Sequence, residues 1–193
     1  MTQAPNLLEP RRVRKLGACL GLCLGPREVG RAVVSLHQLE DHGVLNIRKI
    51  PSAEGKERRF RQVVERAIRL NEVTRLLVVV PSETAARHPT VVAQRLVLQD
   101  LGEAYRLQLE EVEPARIREE YLDDDSLRPS NRRLAAELIR QFPELVRLRA
   151  GRSVEQSPQI RTGKERYWSR LFLALGGALL VLRRELVSNH ATT

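Results

Sequence analysis

Five consecutive branched apolar residues, Leu76-Leu77-Val78-Val79-Val80, run into Pro81, and this run constrains the fold more than any other stretch. A strand with one wet face alternates apolar and polar side chains, whereas an unbroken valine-rich run needs cover on both faces. The chain must therefore build a sheet with a layer on each side. The flanking segments can supply those layers. Residues 54–70 place Phe60, Val63, Val64, Ala67 and Ile68 on one helical face, with Arg and Glu around the rest. Residues 90–101 read as a second helix, and 105–112 alternate Leu107, Leu109 and Glu111 as a further strand.

Upstream lie three strand-like stretches, 16–24, 29–36 and 44–50. Gly25-Pro26 separates the first two and Asp41-His42-Gly43 the second from the third, so an antiparallel meander is expected. Downstream, 131–142 form an amphipathic helix (Leu134, Ala135, Leu138, Ile139, Phe142) that Pro143 stops. Residues 151–163 read as a loop and 164–186 as a long final helix. The order β-β-β-α-β-α-β-α-α predicts an α/β chain: three antiparallel strands, then helix-linked strands in one mixed sheet, with helices on both faces. A basic arm over 1–14, one domain over 15–187 and a disordered tail over 188–193 complete the expected organisation.

At 193 residues and 42% hydrophobic, the chain is long and apolar enough for one buried core, which excludes wholesale disorder. Its formal charge of +9 favours partners with negative surface, nucleic acid or anionic lipid. Two cysteines, Cys19 and Cys23, are too few for a disulfide framework, and a reducing, cytoplasmic setting is expected. Basic residues precede the apolar stretch 16–24, but no A-x-A cleavage site follows, so a signal peptide is not the reading taken. The apolar run 171–182 rises only about 18 Å as a helix, against about 30 Å of hydrocarbon. It is expected as a buried helix, with no transmembrane segment.

The segment Leu20-Gly21-Leu22-Cys23-Leu24-Gly25-Pro26-Arg27-Glu28-Val29-Gly30 resembles the first hairpin of RuvC-type Holliday junction resolvases. Gly21, Gly25 and Gly30 fall where that family places three glycines, and Ala32-Val33-Val34 supplies an apolar second strand. Residues 76–80 resemble its fourth strand, 113–121 the approach to its connecting segment, and 130–142 the helix after it. Residues 166–178, with Leu171-Phe172-Leu173-Ala174-Leu175, resemble its final helix. The likeness spans 16–182 and implies a ribonuclease H-like fold. The related YqgF type, tied to ribosomal RNA maturation, shares the first hairpin.

The resemblance also implies a site: two divalent cations held by carboxylates from the first strand, the fourth strand and the last helix. Mg²⁺ takes hard oxygen ligands, so Asp or Glu is needed there. This chain has Cys23 at the first place, Val80 or Pro81 at the second, and Arg166 and Ser169 at the last. No catalytic or metal-binding residue is therefore assigned, and no cofactor is expected. Displaced acids, Glu83 and Glu165, with Glu28 beyond the first turn, are the residues on which a relocated Mg²⁺ centre would have to be built.

The other constellations are structural. Cys19 and Cys23 share one strand face about 13 Å apart, too far to hold one ion, and read as buried small hydrophobes. His37, His42, His88 and His190 are scattered and read as surface or turn residues, with His88-Pro89 ahead of a helix. Between 110 and 125 eight acids face two arginines, a net −6 that leaves +15 on the remainder; this reads as a solvated or protein-contacting acidic face. Cations cluster at Arg11-Arg12-Arg14-Lys15, at Lys56-Arg58-Arg59-Arg61, at Arg147-Arg149-Arg152, and at Arg161-Lys164-Arg166-Arg170. The residues expected to contact nucleic acid are Arg11, Arg12, Arg14, Lys15, Arg58, Arg59, Arg161, Lys164, Arg166 and Arg170. Arg suits bidentate phosphate contacts, and Tyr167 and Trp168 stand ready to stack or to pack.

The expected function is therefore a catalytically degenerate RuvC-like protein that binds structured nucleic acid, a DNA junction or folded RNA, through Arg-rich surfaces. The resemblance implies a homodimer. The competing readings are a Mg²⁺-dependent junction resolvase or YqgF-like nuclease with relocated carboxylates, and a protein–protein assembly subunit.

Overall fold

The computed structural model describes residues 17–35, 38–80, 82–121, 130–145 and 163–190, with side chains of the last stretch described over 168–184. A five-stranded sheet forms the middle layer, in the order β3-β2-β1-β4-β5. Strands β1 (Ala18–Cys23), β2 (Glu28–Ser35) and β3 (Gln38–Asn46) pair antiparallel. Strands β4 (Val73–Val79) and β5 (Gln108–Val112) join parallel on the other side of β1. This is the mixed sheet expected from the order of elements.

Two apolar layers sandwich it. On one face α1 (Ala53–Leu70) and α3 (Pro89–Tyr105) cover Leu20, Leu22, Leu24, Val29, Val33, Leu76 and Val78. A single turn, α2 (Glu83–Ala86), precedes α3. On the other face α4 (Pro114–Tyr121), α5 (Asn131–Gln141) and α6 (Gly163–His190) cover Cys19, Cys23, Ala32, Val34, Leu77 and Val79. Neighbours along β1 and β4 thus alternate between two cores, which is why β4 is apolar without interruption. Residues 171–182 of α6 are all buried, because the sheet lies under the helix and α4 and α5 lie over it. A helix apolar all round belongs in such a place. Among the described residues, no helix is long and apolar enough to cross a membrane.

Three glycines explain how α6 comes so close. A Cβ on Gly21 would lie well inside 3.0 Å of the Ala174 carbonyl oxygen, and one on Gly30 equally close to the backbone of Arg170 and Leu171. On the helix side, a Cβ on Gly177 would strike the Leu77 side chain. Backbone therefore lies on backbone, and small residues are required at the crossing.

The described elements depart from the expected ones in several places, the short helices α2 and α4 among them. Asp41-His42-Gly43 does not form a turn but lies within β3, where Arg31 faces Gly43 and Val33 faces Asp41. Arg31 pairs with the Asp41 carboxylate, which suits a polar residue to an edge strand whose outer side is wet. The β2–β3 ladder instead extends to the Ser35–Gln38 pair; His37 lies outside the described residues. Helix α3 continues to Tyr105 and stops at Arg106, whose left-handed backbone (φ 55°) lets Leu107 N donate to Gly102 O at 2.8 Å. Finally, α6 runs on to His190, beyond the expected end at 186. The expected arm over 1–14, the loop over 151–162 and residues 191–193 lie outside the described residues.

Candidate functional site

Parallel pairing brings the carboxyl ends of β1 and β4 side by side: Cys23 lies opposite Val79, and Leu24 N donates to Val79 O at 2.9 Å. The close crossing at Gly30 sets Arg170 of α6 over the same end of β1. The half-buried Arg170 side chain reaches back along the strand. Its Nη1 donates to the Leu24 carbonyl oxygen, and its guanidinium lies close enough to the Cys23 thiol to act on its charge and fills the space above Gly25. From the other layer, the Gln94 amide of α3, only 2% exposed, donates to Gly25 O at 3.1 Å. Both helical layers therefore tie the turn after β1.

Cys23 is fully buried, and burial pushes its thiol up to about 12 against the pull of Arg170. Cys19, on the same face of β1, is pushed up to about 12 by the same cause. Neither is a thiolate at neutral pH, so neither is a nucleophile or a ready ligand. Both are the buried small hydrophobes expected from the sequence.

The remaining family positions scatter. Val80 packs into the α1–α3 core, so its side chain is on the opposite face of the sheet from Cys23. Ser169 is half-buried on α6; Arg166 and Lys164 lie on the same helix, their side chains outside the described ones, as are Glu165 and Tyr167. Pro81 is also outside. Glu83 opens α2 at an exposed position, and Glu28 opens β2, half-buried. Among the described residues, no three His, Cys, Asp or Glu side chains group as metal ligands. A divalent cation would need anionic oxygen where this chain puts a protonated thiol and a guanidinium. The described residues at the end of β1 do not fit Mg²⁺.

The expected basic contacts are only partly brought together. Arg58 and Arg59 are exposed on α1, on the sheet face opposite Arg170, while Arg61 of the same cluster is held by Asp100 at 2.7 Å. Arg11, Arg12, Arg14, Lys15 and Arg161 lie outside the described residues, as does the 147–152 cluster. Trp168 packs against the α4–α5–α6 core. Of the acidic segment, Glu110 pairs with Arg184 at 3.1 Å and Glu111 with Arg95 at 2.6 Å. His88 caps α3, its Nδ1 accepting from Thr90 N, as its place before Pro89 suggests, whereas His42 lies within β3 rather than at a turn. Sequence reasoning missed Gln94, whose signal was a lone amide among Val91, Val97, Leu98 and Leu101.

Comparison of the whole fold with solved structures finds Thermus thermophilus RuvC, both alone and in complex with a Holliday junction substrate. TM-score is 0.61 at 12% identity, over 88% of this chain and 96% of that one. The fold is RuvC-like. The yeast mitochondrial Holliday junction resolvase Ydc2 matches with TM-score 0.59 at 14% identity, covering 87% of this chain and 80% of that one. No family model and no curated protein sequence matches the chain. A RuvC-like fold on so little identity locates the likeness in packing. Gly21, Gly25 and Gly30, the residues on which the resemblance rested, are those that seat α6 and Arg170 on the first hairpin.

Proposed function

We propose that this chain binds structured nucleic acid, a DNA junction or folded RNA, without cleaving it. The observation that carries the reading is the Arg170 guanidinium at the end of β1. There the resemblance would put anionic ligands and their cations; here a fixed side-chain cation stands, tied to Leu24 O beside Cys23. A phosphate approaching the carboxyl ends of β1 and β4 meets positive charge either way, and guanidinium suits phosphate oxygens. It cannot activate water as a metal ion does. The excess of Lys and Arg over Asp and Glu, 33 to 24, supports an anionic partner, and the solved RuvC with a Holliday junction shows that such a fold can carry a junction. A homodimer, which the resemblance implies, belongs to the same reading.

The test is a gel shift with a four-way junction, a duplex and an RNA hairpin across a salt series. Binding should weaken steeply with salt, in proportion to the phosphates contacted. Affinity that barely changes with salt, or no shift with any of the three, would remove the proposal.

A further inference from the structure

Helix α1 divides its charges between two sides. Toward α3, Arg61 pairs with Asp100 at 2.7 Å, and Arg69 with Glu65 at 2.6 Å and with the Tyr105 hydroxyl at 2.7 Å. Toward β3 the stripe is Arg58, Arg59, Gln62 and Arg66, spaced so that they share one face. All four are exposed, and among the described residues the three arginines make no ion pair. That stripe overlooks two adjoining grooves of about 810 and 700 Å³, both lined by Arg59 and Gln62. Asn46 and Ile50 wall the first; Asn71 and the Arg31–Asp41 pair wall the second. The carboxylates here are engaged, Asp41 by Arg31 and Glu40 by the Ser35 hydroxyl at 2.5 Å. Arg31, Arg58, Arg59 and Arg66 outnumber Asp41 and Glu40 on these walls, so the net character of the track is cationic.

From Arg58 to Arg66 a helix rises about 12 Å. Along a duplex axis one strand carries a phosphate every 3.4 Å or so, and a strand lying in the groove spaces them more widely, so the stripe is long enough to meet more than one phosphate. No aromatic residue lines either groove, so bases have nothing to stack on, and backbone contact is what the track offers. We propose that the groove between α1 and β3 holds the phosphodiester backbone of one nucleic-acid strand, as a second track on the sheet face away from Arg170. This rests on the nucleic-acid reading above, and adds a place that the Arg170 end does not reach. The polar walls, Asn46, Gln62 and Asn71, are uncharged donors that tolerate any sequence.

The decisive variant is Arg58→Gln/Arg59→Gln/Arg66→Gln, with Arg61→Gln/Arg69→Gln on the opposite side of α1 as control. Binding of a fluorescent single-stranded oligothymidylate and of a four-way junction is measured across a salt series, with thermal melting checking that both variants fold. The triple variant should bind roughly tenfold or more weakly, and its log–log salt slope on the single strand should be shallower by about 2, at about 0.7 per lost contact. The control should keep the wild-type slope. If wild-type protein binds but the triple variant matches it in affinity and slope, the groove is not a track, and the Arg170 reading stands alone. The groove is equally excluded if the control loses as much as the triple variant. If wild-type protein binds neither probe, both proposals fall together.

Discussion

Replacing Gly21 or Gly30 with alanine is expected to destabilise the protein, although strand propensity argues for the opposite sign. Glycine inside a strand ordinarily costs roughly 0.5–1 kcal/mol relative to alanine, so relief of that cost would stabilise. At these two positions the added methyl has no room. It would meet the Ala174 carbonyl or the Arg170–Leu171 backbone, and backbone cannot rotate away as a flexible side chain can. Overpacking of this kind costs about 1–3 kcal/mol per site, occasionally more. Both sites load the same helix, so the double variant stands to lose a large share of the 5–15 kcal/mol typical of a domain. Chemical denaturation of each single variant and the double variant checks this. A midpoint that rises in any of them would mean that α6 does not lie on the first hairpin.

The second large effect concerns Arg170. Removing it alone, as Arg170→Ala, leaves the Leu24 carbonyl without its side-chain donor, at roughly 1–3 kcal/mol. Cys23→Asp alone puts an acid where the resemblance expects one and places it against the guanidinium, so the new charge is paired on arrival. Cys23→Asp/Arg170→Ala buries that carboxylate with no cation beside it. An unpaired buried charge costs about 3–5 kcal/mol, so the double variant should lose about 3 kcal/mol more than the two single losses combined. The cycle is read from equilibrium unfolding of the four proteins. Additivity within about 0.5 kcal/mol would show that the two residues do not meet, and the site would lose its centre.

Much of the fold is legible in the sequence because apolar patterning dominates it. The run 76–80 demands two covering layers, and the stripes at 60–68 and 134–142 supply helices for opposite faces. The departures arise where single residue types are read locally. Asp41-His42-Gly43 has the composition of a turn, but on an edge strand Asp41 finds Arg31 and Gly43 lies opposite Arg31, so β3 continues through them. The helix over 114–121 is short, and its one fully buried residue is Ile117, which leaves little periodicity to detect. β4 ends at Val79, one residue short of the run, and alternation along the strand sends Val80 toward α1 and α3, away from Cys23.

The site is legible as a set of losses rather than as an arrangement. Cys23, Arg166 and Ser169 are recognisable from their identities as the wrong chemistry for a divalent ion. That Arg170 reaches Leu24 O depends on a helix 146 residues further along the chain lying directly on Gly30, and no local pattern contains that. The groove beside α1 is hidden for a related reason. The cluster at 56–61 looks uniform in sequence, but helical spacing sends Arg61 toward Asp100 and leaves Arg58 and Arg59 facing β3, joined there by the distant Arg66.

The proposed reading gives the Arg170 guanidinium at the end of β1 the place of metal ions. It is tested most directly by incubating the protein with a labelled four-way junction in EDTA and in Mg²⁺ or Mn²⁺, at matched ionic strength. Complex formation is read on a native gel and strand integrity on a denaturing one. Equal affinity in both conditions and intact strands throughout are the expected result. Metal-dependent scission that disappears in Glu83→Gln or Glu165→Gln would contradict it.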